Sequence, residues 1–164
     1  MELIEIAVLV SALLCSLVAG LVLTFAIVVM PGIKALGDRE FLKSFKAIDR
    51  VIQNNQPVFM LVWLGSALML LVSAVLGIWS LAGLDRILLL VACALYIFGV
   101  QVPTVAINIP LNNYLQSQNL DAITESAVRE TTAKFESRWQ RWNTIRTVVA
   151  TLTTILLLFL LLRF

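Results

Sequence analysis

Arg146 stands about one turn inside an otherwise apolar stretch that runs on to Leu162, a place where an unpaired charge is costly. A guanidinium so placed is by default paired or facing a cavity. In a dry site its planar fork of donors can stabilise an anionic oxygen. Amide side chains able to share that task are Asn143, three residues earlier, and the two asparagines of Asn108-Ile-Pro110-Leu-Asn112. Trp139 and Trp142, seven and four residues before Arg146, offer flat faces on which an aromatic ring can stack. Phe135, Trp139 and Trp142 follow one another at spacings of four and three, hence on one helix face. Glu136 is the one acid close in sequence that could take a proton.

Each part has a plain structural role as well. Interfacial tryptophans anchor helices at the headgroups. Asparagines cap helices or bond between them, and Pro31, Pro57 and Pro110 punctuate helices.

Other chemistry is excluded by residue type. The chain has no histidine, which removes imidazole proton carriers, bis-histidine haem, and histidine-held zinc or copper. Cys15 and Cys93 lie alone in apolar runs with no CxxC. A thiol oxidoreductase needs a resolving thiol within reach, so both cysteines read as small packing residues. No metal and no cofactor is expected.

The elements that must position these residues are membrane helices. Of 164 residues, 60% are hydrophobic and 13% charged, against about 45–50% and about 25% in soluble domains. That composition excludes a soluble enzyme, a nucleic-acid-binding domain and a disordered chain, and makes the lipid bilayer the first partner. Four spans are expected at about 6–30, 58–81, 87–107 and 143–162, each near the roughly 20 residues that cross a hydrocarbon core. Together they form a single membrane domain. Glu2 and Glu5 precede the first span where a secretory signal would carry basic residues. Small residues at Ala12, Ser16, Gly20 and Thr24, and a looser set at Gly65, Met69, Ser73 and Gly77, are expected to let helix backbones approach.

Lys34, Arg39, Lys43, Lys46 and Arg50 fall between the first two spans, and Arg129, Lys134, Arg138, Arg141 and Arg146 between the last two. Arg86 and Arg163 alone fall on the other side. The positive-inside rule therefore places both long connections, 31–57 and 108–142, in the cytoplasm and both termini outside it. The first connection holds an amphipathic helix starting at Gly37-Asp38 and stopping at Asn54-Asn55-Gln56-Pro57. Its apolar face carries Phe41, Leu42, Phe45, Ile48, Val51 and Ile52, and its polar face Lys43, Lys46, Asp49 and Arg50. It either lies in the headgroup plane or folds back over the bundle. In the second connection, Asn108 to Asn113 is expected to break the third helix, and from about Asp121 one long helix resumes and runs through the fourth span. The fold class is all-α: an antiparallel four-helix membrane bundle with a cytoplasmic amphipathic helix and an extended fourth helix. Its polar residues gather at the ends of all four spans on the basic side, a lopsidedness that stability alone does not require.

Met30-Pro31-Gly32, Asn54…Pro57, Asn108-Ile-Pro110-Leu-Asn112 and Trp139-x-x-Trp142-Asn143-x-x-Arg146, in that order, resemble the anthrone-oxygenase-like family. The likeness covers about Gly20 to Ala150. It implies a small four-span membrane protein. In a few fungal relatives it implies oxidation of polyketide anthrones to anthraquinones without metal or flavin; most bacterial members have no assigned role. On that likeness Asn108, Asn112, Trp139, Trp142, Asn143 and Arg146 are the candidate ligand-binding residues. The ligand would be a lipophilic aromatic, phenol or quinone, and any enzyme a cofactor-independent oxygenase. A non-catalytic subunit or assembly factor, partnered by other membrane subunits, would need only the bundle and a docking face. A multidrug exporter would need a mid-membrane acid, and a channel a polar stripe through the whole bundle. Neither pattern is present.

Overall fold

Start signals in the sequence fix most of the helix beginnings. Gly37, at a φ of 86°, turns the chain into Asp38. Gln56 accepts from the Phe59 N–H at 2.5 Å while Pro57 occupies the first turn, where no N–H is missed. Thr124 accepts from Ala127 N–H at 3.3 Å. The computed structural model describes residues 2–164. Five helices result: α1 (Leu3–Lys34), α2 (Asp38–Gln53), α3 (Pro57–Ser80), α4 (Gly83–Ser117) and α5 (Glu125–Leu161). Among the described residues there is no strand.

All but α2 are long and apolar enough to cross a membrane. Each packs on two antiparallel neighbours, α1 on α3 and α5, α4 on α3 and α5. The diagonals α1–α4 and α3–α5 run parallel. Leu13, Leu17, Leu68, Trp79, Phe98 and Ile155 point outward around the girdle, as lipid-facing side chains must. A first core of Val8, Cys15, Leu70, Tyr96 and Leu157 fills the bundle. A second, of Phe41, Leu42, Phe45, Leu115, Phe135 and Trp139, lies under α2. α2 thus folds over the bundle end, against α4 and α5. Lys43 ties it to the loop after α4, 2.7 Å from the Asp121 carboxylate, and this partner holds that carboxyl below its ordinary range.

Several expectations are corrected. Neither Pro31 nor Pro110 ends a helix. A wide π turn stands two residues ahead of each intrahelical proline: Phe25–Val29 before Pro31, Ile97–Gln101 before Pro103, and Thr104–Asn108 before Pro110. Proline lacks an N–H, and its ring collides with the carbonyl four residues back in a regular α turn. The wider turn moves that carbonyl aside and the helix continues. Ala26, five residues before Pro31, instead has its carbonyl served by Gln140 Nε2 at 3.0 Å. The long helix begins at Glu125 and not at Asp121, because Thr124 supplies the cap. At about 1.5 Å per residue its 37 residues measure about 55 Å.

The small residues of α1 do not form one packed stripe either. Ala12 is buried, but Gly20 and Thr24 are exposed. Steps of four advance about 40° each around a 3.6-residue helix, so the set drifts off the contact face. Cys15, Val18 and Val22 take over that face. On α2, Val51 is exposed and Asp49 is buried, the reverse of their expected faces.

Candidate functional site

The second core meets the first around a cavity of about 380 Å³. All five helices contribute to it. α1 supplies Val22 and Phe25, and α2 supplies Phe45 and Asp49. From α3 come Phe59 and Trp63, from α4 come Gln101, Thr104, Asn108 and Asn112, and from α5 come Trp139, Asn143 and Arg146. The wall is mainly apolar, with polar groups converging from α2, α4 and α5.

Arg146 is the basic residue of that wall and is 5% exposed. Its Nη1 donates to Thr104 Oγ1 at 2.9 Å and its Nη2 to Asn143 Oδ1 at 3.0 Å. Its guanidinium carbon lies 5.8 Å from the Trp139 ring centre, where the π face attracts a cation. Among the described residues it makes no ion pair. The charge is therefore held by dipoles and an aromatic face alone. Its Nε has no partner, nor do Nδ2 and Oδ1 of Asn108 or Nε2 of Gln101. All these residues line the cavity. Buried polar atoms left unpaired cost about 1–3 kcal/mol each, and four of them lie on this one wall.

Asn143 and Asn112 are fully engaged. Asn143 Nδ2 donates to the Val22 carbonyl at 2.9 Å, which docks α5 on α1. Asn112 Nδ2 donates to Asp49 Oδ1 at 2.7 Å, and its Oδ1 accepts from Trp139 Nε1 at 2.9 Å. Trp139 sits edge-on to Phe45, ring centres 5.2 Å apart, and tilted to Phe25 at 5.7 Å. These contacts leave the indole little freedom.

Of the six candidates read from the sequence, Asn108, Asn112, Trp139, Asn143 and Arg146 share this cavity. Trp142 does not: it lies off the wall and is partly exposed, because a step of three from Trp139 carries it around α5. Glu136, considered as a base, points elsewhere and pairs with Lys34 at 2.5 Å. The acid that does face the cavity is Asp49, which sequence reasoning assigned to the polar face of α2. It is 3% exposed and accepts from Asn112, Gln116 and Gln53 at 2.7, 2.8 and 2.7 Å. A signal was present: Asp49 follows Leu42 by seven residues and Phe45 by four, the spacing of the apolar face. A carboxylate offers about four acceptor positions, and three are used here.

The site thus combines a guanidinium, a carboxylate, unpaired amides and aromatic walls in one largely apolar chamber. No curated protein and no solved structure matches the chain. A family model described as anthrone oxygenase matches residues 50–156, a stretch that begins just after Asp49 and contains Trp63, Gln101, Asn108, Trp139 and Arg146. By that match the chain belongs to the anthrone oxygenase family.

Proposed function

We propose that the cavity binds a planar, membrane-soluble aromatic bearing a phenolic or enolic oxygen, and that it is the site of an anthrone-type oxidation by O₂. The observation that carries this reading is the buried Arg146, without a carboxylate partner, on the same cavity wall as the unpartnered amide of Asn108. An oxyanion would serve the guanidinium and the Asn108 Nδ2. Its negative charge would meet the guanidinium, and its lone pairs the free N–H groups, in surroundings where such contacts are strong. Trp139 and the stacked pair Phe59–Trp63, ring centres 5.5 Å apart, supply flat walls for the rings.

The chemistry balances with O₂ as the sole co-reactant. A ring methylene beside an aromatic ketone system loses a proton and becomes an enolate. The enolate carbon bonds one oxygen atom of O₂, and the hydroperoxide then loses water. Both methylene hydrogens leave in that water, and CH₂ becomes C=O. The carbon gives up four electrons and O₂ accepts four. Arg146 and Asn108 hold the enolate oxygen in this scheme. Asp49, with one acceptor position left, receives the proton. The bias of basic residues supports a cytoplasmic position for the α2 end.

The test uses the protein in lipid nanodiscs with anthrone. The expected result is O₂ uptake with stoichiometric anthraquinone, faster than in empty nanodiscs. Arg146→Ala and Asp49→Asn should lower the rate by about 10²-fold or more, the usual worth of an oxyanion donor or a general base. Oxidation no faster than in empty discs, with no saturable quenching of tryptophan by anthraquinone, would overturn the reading.

A further inference from the structure

The cavity wall includes side chains that also face outward, and these mark its mouth. Leu64 on α3 is 58% exposed, and Val105 and Ile109 on α4 are 65% and 44% exposed. α3 and α4 are bound tightly at their far ends by the two-residue turn Leu81-Ala82 and by Leu89 seated on Gly77. Their last polar tie is Trp63 Nε1 to Gln101 Oε1 at 3.0 Å. Beyond it, toward α2, the two π turns of α4 carry that helix to other partners. Residues 104–117 pack mainly on α2 and α5. A cleft between α3 and α4 is left.

No charged residue lies between Arg50 and Asp85, or between Arg86 and Asp121. Leu64 on one lip and Val105 and Ile109 on the other are exposed apolar side chains. Such lips belong in hydrocarbon, since water would gain nothing from them. On the aqueous side Phe45 and Asp49 of α2, both buried, cover the cavity, and the exposed polar side chains of Gln53 and Asn113 form its rim there.

We infer that the cavity exchanges its ligand with the bilayer through this α3–α4 cleft, so the natural ligand is an aromatic dissolved in the membrane and not one delivered from water. This rests on the binding function proposed above. A flat ring system would pass the parallel faces of Phe59 and Trp63, and its oxygen would arrive first among the amides of Gln101 and Asn108.

The experiment measures binding of 1,8-dihydroxyanthraquinone to the protein in nanodiscs by stopped-flow quenching of tryptophan. Leu64→Phe with Val105→Phe narrows the cleft at two outward-facing positions and leaves Arg146 and Asn108 untouched. Association and dissociation should both slow by about tenfold, a rise of ~1.4 kcal/mol in a shared barrier. Observed association should also follow the dye's mole fraction in lipid when the lipid composition, and with it the partition coefficient, is varied at fixed aqueous dye. Normal binding with rates indifferent to both the cleft variants and the lipid composition would overturn the portal and leave the site standing. Absence of saturable quenching in the unaltered protein would remove the site and the portal together.

Discussion

The indole N–H of Trp139 donates to Asn112 Oδ1 at 2.9 Å, and this bond decides which way round the Asn112 amide lies. An indole only donates and a carboxylate only accepts, so Asn112 must turn its oxygen to Trp139 and its nitrogen to Asp49. α2, α4 and α5 are thereby joined through one amide. Asn112→Leu should strand a buried indole N–H and take one of three donors from the buried Asp49 carboxylate, at a cost of about 2–4 kcal/mol. Asn112→Asp should cost more at neutral pH because it sets a second carboxylate against Asp49. The added carboxyl would have a raised pKa in the folded state. Stability of that variant should therefore recover as pH falls, the opposite of ordinary acid loss. Thermal unfolding in detergent across pH 4 to 8 checks both.

The two tryptophans of the Trp139-x-x-Trp142 motif should separate cleanly. Trp139 is 4% exposed and faces the cavity, so Trp139→Ala should cost about 3–5 kcal/mol and most of the quenching by bound anthraquinone. Trp142→Phe should leave dye affinity within twofold, since Trp142 lies off the wall. Equal loss from both would put the ligand elsewhere on α5.

What the sequence made legible, and what it hid, follows from how each residue signals its place. Arg146, Asn143 and Asn108 stood out because polar groups within apolar spans have few places to go but inward. The topology of four helices was legible from hydropathy alone, and the α2 boundaries from Gly37 and Pro57. Asp49 was hidden because acids on an amphipathic helix near water are ordinarily solvated, and only its register against Leu42 and Phe45 argued otherwise. The π turns were hidden for a different reason. Proline in an apolar run reads as a stop, while the widened turn that lets the helix pass leaves no mark in residue type. Trp142 misled because a spacing of three places it within the same broad helix face as Trp139, yet the cavity covers only part of that face.

Those widened turns make a testable claim about α4. Pro110→Ala should change stability by less than about 1 kcal/mol, because the helix is already shaped around the missing N–H. Ile155→Pro, at an outward position in the regular part of α5, should cost about 3 kcal/mol or more. Circular dichroism melts in one detergent compare the two directly.

Gly99 sits in the first π turn of α4, where an added Cβ would come within 2.6 Å of Val149 Cγ1 on α5. Valine is stiff at χ1 and cannot swing away. Gly99→Ala should lose about 1–3 kcal/mol by forcing the helices apart. Val149→Ala should restore most of that loss when combined with it, although alone it is mildly destabilising. Additive losses in the double mutant would show that the two side chains do not meet.

Asn108 offers the sharpest separation of stability from function. Both its amide atoms are buried without partners at the cavity wall, in a residue 3% exposed. In the ligand-free protein this arrangement is a cost, because each atom gives up water and gains no bond. Leucine has nearly the same shape and no polar atoms. Asn108→Leu should therefore raise the unfolding midpoint of the ligand-free protein, by an amount corresponding to about 1–2 kcal/mol. It should also remove the further rise that dihydroxyanthraquinone gives the unaltered protein through mass action. The opposite result, a destabilised variant that still gains stability from the dye, would mean that Asn108 serves the fold and that another group receives the ligand oxygen.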